Sequence, residues 1–123
     1  MIDSGQRVVA MMENHGGGSA YPWLLPAFDY VQDTPYTNPT VADLRCERLR
    51  GTAASPLLLL NYWLSSAFRS LVTDARRINA LPVLEPYLAR CRKERGMLPN
   101  FVAVNYFSEG DLFRAVDQLN GVA

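Results

Sequence analysis

Short apolar segments that end in a polar residue recur along the chain, and this repetition constrains the fold more than any other feature. The segments SPLLLLNYWLSS and PNFVAVNYFSEGD each contain an apolar run that leads into asparagine and tyrosine. A run that is apolar throughout, rather than at every second position, is typical of a strand buried on both faces of a parallel sheet. The pattern predicts four parallel strands, near residues 7–13, 28–32, 57–62 and 101–106.

The segments between these strands have features of helices. TVADLRCERLRG, residues 40–51, has Thr40 and Asp43 at the spacing of a capping box and is expected to end at Gly51. TDARRINALPVLEPYLARCRKERG is expected to begin at Thr73 and end at Gly96, and Pro82 and Pro86 are expected to break or kink it. SEGDLFRAVDQLNG has apolar side chains at helical spacing and a stop at Gly121. Strand and helix therefore alternate, which predicts an α/β chain.

Four polar residues follow the predicted strands, and the carboxyl ends of parallel strands form one rim on which α/β proteins build sites. We therefore expect a shared polar rim that contains Glu13, Asp33, Asn61 and Asn105. Other interpretations remain open. Glu13 could pair with an arginine instead of a ligand, and the two asparagines could be structural amides that cap strand ends.

The segment after the first predicted strand, ENHGGG, holds the single histidine of the chain. His15 is either a loop residue hydrogen-bonded to the backbone or a catalytic group, and we favour the loop role. The run from Gly16 to Gly18 could form a nest that binds anions. A plain loop is the alternative that we favour.

Length and charge exclude several classes of protein. The chain has 123 residues, 49% of them hydrophobic, and its 12 basic residues balance its 12 acidic residues. We therefore expect one globular unit over residues 1–123 and no nucleic-acid partner. MIDSGQR lacks the pattern of a signal peptide, and no apolar run approaches the length of a membrane span. As written, the chain is expected to be cytoplasmic.

Several segments together resemble a known family. SGQRVVAMMENHGGG, AFDYVQDTPY, LLLLNYWLSS, the two cysteines and GMLPNFVAVNYFSEGDLFRAVDQLN resemble, in order, the carboxyl-terminal half of bacterial phosphatidylinositol-specific phospholipase C-like phosphodiesterases. The resemblance implies a partial (β/α)₈ TIM-type barrel, about the last four strands with their helices. A complete barrel has roughly 250 residues, so about half of it fits this chain. Relatives are often secreted or attached to the cell surface.

The resemblance also implies a chemistry. Members of this family cleave a phosphodiester with two histidines on the first strands, one as base and one as acid, assisted by an arginine or Ca²⁺. This chain has only His15, so we assign no catalytic residue and no metal ligand. We therefore expect the chain to be part of a phosphoric diester hydrolase that acts on inositol lipid or a similar phosphodiester head group. We expect the chain to be inactive by itself. The alternative is a non-catalytic remnant or binding subunit that folds only with a partner supplying the other strands.

The resemblance assigns substrate contacts to individual residues. Asp33 and Tyr36 match an aspartate and a tyrosine that hold the inositol ring in relatives. Asn105 stands where relatives commonly have an aspartate, and Tyr62 stands where they often have a histidine; both differences indicate weakened chemistry. Together with the rim residues, this gives five candidate substrate-binding residues: Glu13, Asp33, Tyr36, Asn61 and Asn105.

Two further expectations concern the cysteines and the strand edges. Cys46 and Cys91 each fall on a predicted helix, and in a secreted family they would form a disulfide; two buried thiols are the alternative. A half barrel leaves two unpaired strand edges, so the chain should self-associate, bind the amino-terminal half of a barrel, or stay poorly folded alone.

Overall fold

The computed structural model describes residues 3–65 and 71–122. Within these residues the strands are β1 (Ala10–Met12), β2 (Leu24–Pro26), β3 (Val31–Asp33), β4 (Leu57–Tyr62) and β5 (Phe101–Val104). The helices are α1 (Ala27–Tyr30), α2 (Val72–Ile78), α3 (Leu81–Arg95) and α4 (Leu112–Asn120), with one 3₁₀ turn at Val41–Asp43. This order confirms the predicted α/β class.

The strands form two parallel sheets. One sheet pairs β1 with β2, and the other has the order β3–β4–β5, which is the sequential order of the chain. The described residues do not form a closed barrel. Within residues 3–65 and 71–122, no helix is both long enough and apolar enough to cross a bilayer.

The strand predictions succeed in the second sheet and fail near the amino terminus. β4 matches the predicted range 57–62, and β5 begins at Phe101 as predicted but ends at Val104. The strand predicted over residues 7–13 is shorter in the structure, where β1 covers only Ala10–Met12, because Val8 and Val9 are exposed and not buried between layers. The range 28–32 is wrong: residues 27–30 form a single helical turn, and the strand begins only at Val31. β2 was not predicted.

The predicted helix over residues 40–51 is also wrong, although its capping residues are in place. The carboxylate of Asp43 accepts hydrogen bonds from the backbone N–H of Thr40 at 2.9 Å and from its hydroxyl at 2.7 Å, and the hydroxyl contact lowers the pKa of Asp43. Only the 3₁₀ turn follows. The carbonyl of Leu44 accepts from Arg90 at 2.5 Å, so a side chain of α3 replaces the helical amide that would otherwise bond there.

A disulfide joins this irregular segment to α3. Cys46 and Cys91 are bonded, with their Cα atoms 5.0 Å apart, so the pairing expected from the family is confirmed. Cys46 lies in the loop after the 3₁₀ turn and not on a helix, which corrects the prediction. Arg95 donates to the carbonyl of Cys46 at 3.3 Å and holds the same loop against α3.

The helix ends follow local signals. α2 stops at Ile78 and α3 starts at Leu81, so the break predicted near Pro82 is present, whereas α3 continues through Pro86. Gly96 and Gly121 adopt positive φ at the ends of α3 and α4, the conformation that glycine accepts at a helix terminus. The hydrophobic core lies between β4 and these helices and includes Leu58, Leu60, Tyr62, Ile78, Leu84 and Leu88.

Two buried tyrosines give the core a dependence on alkaline pH. The rings of Tyr62 and Tyr87 lie 4.6 Å apart, and the Tyr62 hydroxyl donates to the carbonyl of Ile78 at 2.8 Å. Burial raises the pKa of both phenols above the ordinary value of 10.0. Above that pH the unfolded chain loses these protons while the folded chain keeps them. The free energy of unfolding should therefore be unaffected by these groups below about pH 10 and fall by about 1.4 kcal/mol per pH unit for each above it.

Urea unfolding between pH 8 and pH 11.5 measures this effect. At pH 8 the free energy of unfolding of Tyr62→Phe should be about 1 kcal/mol lower than that of the wild-type chain, because a hydrogen bond is lost. Above pH 10 it should decline less steeply with pH than that of the wild-type chain. Equal slopes for the wild-type chain and this variant would contradict the role of the buried phenol.

Candidate functional site

The centre of the candidate site is an ion pair between Asp33 and Arg50. Asp33 ends β3 and is completely buried. Its Oδ1 accepts from the backbone N–H of Arg50 at 3.0 Å, and its Oδ2 accepts from Nε at 2.9 Å and also from Nη2. The two residues also form an antiparallel bridge, in which the amide of Asp33 donates to the carbonyl of Arg50 at 3.2 Å. Hydrogen bonding to Asp33 raises the pKa of the Arg50 guanidinium.

The guanidinium of Arg50 is surrounded by a second carboxylate and two aromatic rings. Nη1 donates to Glu13, which lies just after β1, so this contact links the two sheets. The guanidinium carbon lies 4.4 Å from the centroid of the Phe28 ring and 4.7 Å from that of Tyr36. The side chain of Arg50 is 30% exposed and that of Glu13 is 63% exposed. The open side of the site therefore presents Arg50, Glu13 and Tyr36.

Asn61 supports the ion pair from the neighbouring strand. It lies near the end of β4, where its Nδ2 donates to Asp33 Oδ2 at 3.2 Å and to the carbonyl of Thr34 at 2.6 Å. The backbone N–H of Asn61 in turn donates to the Thr34 hydroxyl at 2.9 Å. We call Glu13, Asp33, Thr34, Tyr36, Arg50 and Asn61 the polar network. Its buried members hold one another in place.

Gly51 allows the segment that carries Arg50 to approach β3. Its φ is +80°, and a Cβ there would lie 2.4 Å from the carbonyl oxygen of Val31 and 2.7 Å from Cα of Gln32. Backbone atoms cannot move aside as a side chain can. The glycine that was expected to end a helix therefore has a different role, which is to bring Arg50 against Asp33.

The structure brings four of the five candidate site residues together. Glu13 and Asp33 form ion pairs with Arg50, Asn61 donates to Asp33, and Tyr36 contacts the guanidinium. The alternative that Glu13 pairs with an arginine is confirmed. Asn105 does not join this group. Its backbone carbonyl accepts a hydrogen bond from Nδ2 of Asn79 at 3.1 Å, which connects the end of β5 to the junction between α2 and α3.

Sequence reasoning missed Arg50 itself. It lies 17 residues after Asp33, in a segment that was predicted to be helical. A helix would have separated Arg50 from β3. The available signal was indirect: two carboxylates were expected at one rim, and a buried carboxylate requires a cationic partner.

The glycine segment after β1 forms an ordinary loop. The amide of Gly17 donates to the carbonyl of Leu24 at 2.7 Å, and the carbonyl of Gly17 accepts from Tyr21 at 3.1 Å. His15 is exposed and has a φ of 61°. Because backbone contacts use the Gly17 amide, it does not contribute to an anion-binding nest.

The carboxylates of the polar network already have a cationic partner. In the described ranges 3–65 and 71–122, no group of three or more His, Cys, Asp or Glu side chains could hold a metal ion. Both carboxylates of the polar network, Glu13 and Asp33, already pair with Arg50. A cation bound between them would have to displace the guanidinium.

Comparison with known proteins gives one family and one relative. The family model PI-PLC X, described as PI-PLC X 1, matches residues 1–120. A protein of the fungus Arthroderma benhamiae named PI-PLC X domain-containing protein 1 is 24% identical over 132 aligned positions, which include 99% of this chain and 43% of the relative. The chain therefore spans less than half the length of that relative. No solved structure shows a significant match.

Proposed function

Because the chain belongs to the PI-PLC X family, whose model covers residues 1–120, we propose that it is part of a phosphoric diester hydrolase and that its polar network contacts the head group of the substrate. We also propose that residues 1–123 form the carboxyl-terminal half of a (β/α)₈ barrel, as the sequence resemblance implies. It is supported by the parallel pairing within both described sheets and by the sequential order of β3, β4 and β5.

The charge of the polar network indicates which part of a head group it contacts. One guanidinium stands against two carboxylates, a net charge of −1, which does not favour the phosphate group. Among the described residues, three of the five N–H groups of the Arg50 guanidinium donate to Asp33 or Glu13, and two remain for a ligand. Hydroxyl groups can accept from those two N–H groups and donate to Glu13. A polyol ring such as inositol therefore fits better than a bare phosphate.

The roles within the network differ from those that the resemblance assigned. Asp33 is fully buried and its oxygens already accept from Arg50 and Asn61, so we assign it to positioning the guanidinium. Tyr36 and Glu13 are exposed and take the contacts with the ring and its hydroxyls. The arrangement of Arg50 between a buried and an exposed carboxylate, with Tyr36 alongside, is the observation that carries the proposal.

The described network lacks the pair of groups that phosphodiester cleavage requires. A general acid and a general base each contribute about a hundredfold to ten-thousandfold to such a reaction. The single histidine, His15, lies on the exposed loop after β1 and not in the network. We propose that the 123 residues bind a head group weakly and do not hydrolyse it by themselves.

A binding assay and an activity assay on the purified chain test this function. We expect myo-inositol to shift the NMR signals of the Arg50 side chain and the Tyr36 ring, and we expect Glu13→Gln to weaken binding. Glu47→Gln is the matched control, because Glu47 also pairs with an arginine and is similarly exposed, at 58%. No turnover of phosphatidylinositol or a glycerophosphodiester is expected, with or without Ca²⁺. Inositol that leaves these signals unchanged, or turnover that His15→Ala abolishes, would overturn the proposal.

A second candidate function is a non-catalytic remnant or binding subunit that folds with a partner. Among the strands of residues 3–65 and 71–122, β5 lies at the edge of its sheet, next to a groove of about 500 Å³ that includes Phe101, Val102 and Phe113. Phe101 and Phe113 are exposed. An unpaired strand edge beside exposed aromatic rings favours association with another strand, from a second copy or from the other part of a barrel. Light scattering on the same preparation measures association, and a cooperatively melting monomer would speak against this candidate.

The disulfide bears on where the protein functions. Disulfides persist in oxidising environments and are rare in the cytosol. The bond between Cys46 and Cys91 therefore supports a location outside the cytosol, in place of the cytoplasmic one expected from sequence. We propose that the protein functions in an oxidising compartment.

A further inference from the structure

A second surface, separate from the polar network, lies between α3 and α4. It is a groove of about 630 Å³ whose floor includes Leu88 and Met97 from the α3 side and Leu119 from α4. Arg92 and Lys93 line its rim. None of the residues of the polar network contributes to the lining. The groove therefore combines an apolar floor with a cationic rim at a place that the proposed function does not use.

The two cations at the rim have no carboxylate partner among the described residues. Arg90, two residues before Arg92 on α3, lies 3.9 Å from a carboxylate oxygen of Glu94. In the part of the chain that the structure describes, no carboxylate lies within ion-pair distance of Arg92 or Lys93. The carboxyl end of a helix favours cations, which accounts for two basic residues there but not for an apolar groove beside them.

We propose that this groove binds a single-chain amphiphile with an anionic head group, of the class of a fatty-acid carboxylate. The acyl chain would lie on the apolar floor, and the carboxylate would meet Arg92 and Lys93. The volume of the groove falls within the range of about 300–1,000 Å³ that small-molecule sites occupy. The hydrocarbon stems of arginine and lysine can extend the apolar wall while their charged ends stay in water.

The direction of the ligand follows from the charges along α3. Glu85 lines the same groove, seven residues before Arg92, which is about 10 Å along a helix. A carboxylate head group is repelled at that end and attracted at the other. The ligand therefore points its head group toward the carboxyl end of α3.

Titration of the 123-residue chain with dodecanoate, kept below its micelle concentration, tests the proposal by calorimetry. We expect saturable binding with one site. Dodecyltrimethylammonium has a chain of the same length with the opposite charge. It should bind more weakly, since only Glu85 attracts its head group while Arg92 and Lys93 repel it. An equal affinity for both amphiphiles, or no saturable binding of dodecanoate, would overturn the proposal.

Three variants locate the binding. The double substitution Arg92→Glu and Lys93→Glu should raise the Kd for dodecanoate about tenfold or more. Ala89→Trp places a bulky side chain at an exposed position of the lining and should block the groove. Arg114→Glu is the control, because Arg114 is an exposed cation of α4 outside the lining, and it should bind as the wild type does.

Circular dichroism confirms that each variant is folded before its affinity is interpreted. Dodecanoate binding that is unchanged in both the double variant and Ala89→Trp would place the ligand elsewhere and refute the assignment. Because the polar network contributes nothing to the groove, myo-inositol should not compete with dodecanoate. A negative result in the inositol assay would therefore not contradict the amphiphile site. A negative result with dodecanoate would likewise not contradict the proposed function.

Discussion

Replacing Asp33 with alanine should lower the free energy of unfolding by about 3–5 kcal/mol, because it removes a buried carboxylate that accepts several hydrogen bonds, each worth about 1.5–3 kcal/mol when the acceptor is charged. The Asp33 carboxylate is completely buried and accepts from the side chain and backbone of Arg50 and from the side chain of Asn61. Without it, the partly exposed guanidinium of Arg50 keeps only the exposed carboxylate of Glu13. Urea unfolding of the wild-type and variant chains measures the difference.

Glu13→Gln provides the matched comparison, since it removes the other carboxylate of the same guanidinium. The Glu13 side chain is 63% exposed, so its contribution is that of a surface ion pair, within about 1 kcal/mol. The contrast separates the structural role of Asp33 from the ligand role of Glu13. If the two substitutions destabilise the chain equally, the buried ion pair is not the structural centre of the site.

Loss of the disulfide should have an effect of similar size. Cys46 and Cys91 are 45 residues apart in sequence, and closing a loop of that length removes enough entropy from the unfolded chain to stabilise the fold by about 4 kcal/mol. The double substitution Cys46→Ala and Cys91→Ala should therefore lower the free energy of unfolding by about that amount. The loop itself should stay near α3, because Arg90 and Arg95 still donate to its carbonyls.

Reduction of the wild-type chain is the control for this variant. In a reductant such as dithiothreitol, the wild-type chain should unfold at about the same urea concentration as the double variant, and the reductant should not affect the variant further. Mass spectrometry after alkylation counts the free thiols. Two alkylated cysteines with an unchanged midpoint would show that the bond does not stabilise the fold.

The sequence by itself determined the features that depend on neighbouring residues. The leucine run at 57–60 specified β4, because a short apolar run is typical of a strand; Leu58 and Leu60 are fully buried in the core, and Leu57 and Leu59 are partly buried. Gly96 and Gly121 specified where α3 and α4 end, because few other residues adopt positive φ there. The polar ends of the strands also placed Glu13, Asp33 and Asn61 in one site.

Only the tertiary structure decided how the segment from Thr40 to Gly51 is used. Its capping pair and closing glycine indicate a helix, yet side chains of α3 bind its carbonyls, the disulfide holds Cys46, and Arg50 pairs with a buried carboxylate 17 residues away. A local helix preference of a few tenths of a kcal/mol per residue is smaller than the combined effect of a buried ion pair and a disulfide. Contacts between residues far apart in sequence therefore outweigh the local pattern there, and Arg50, the centre of the site, could not be found from the pattern alone.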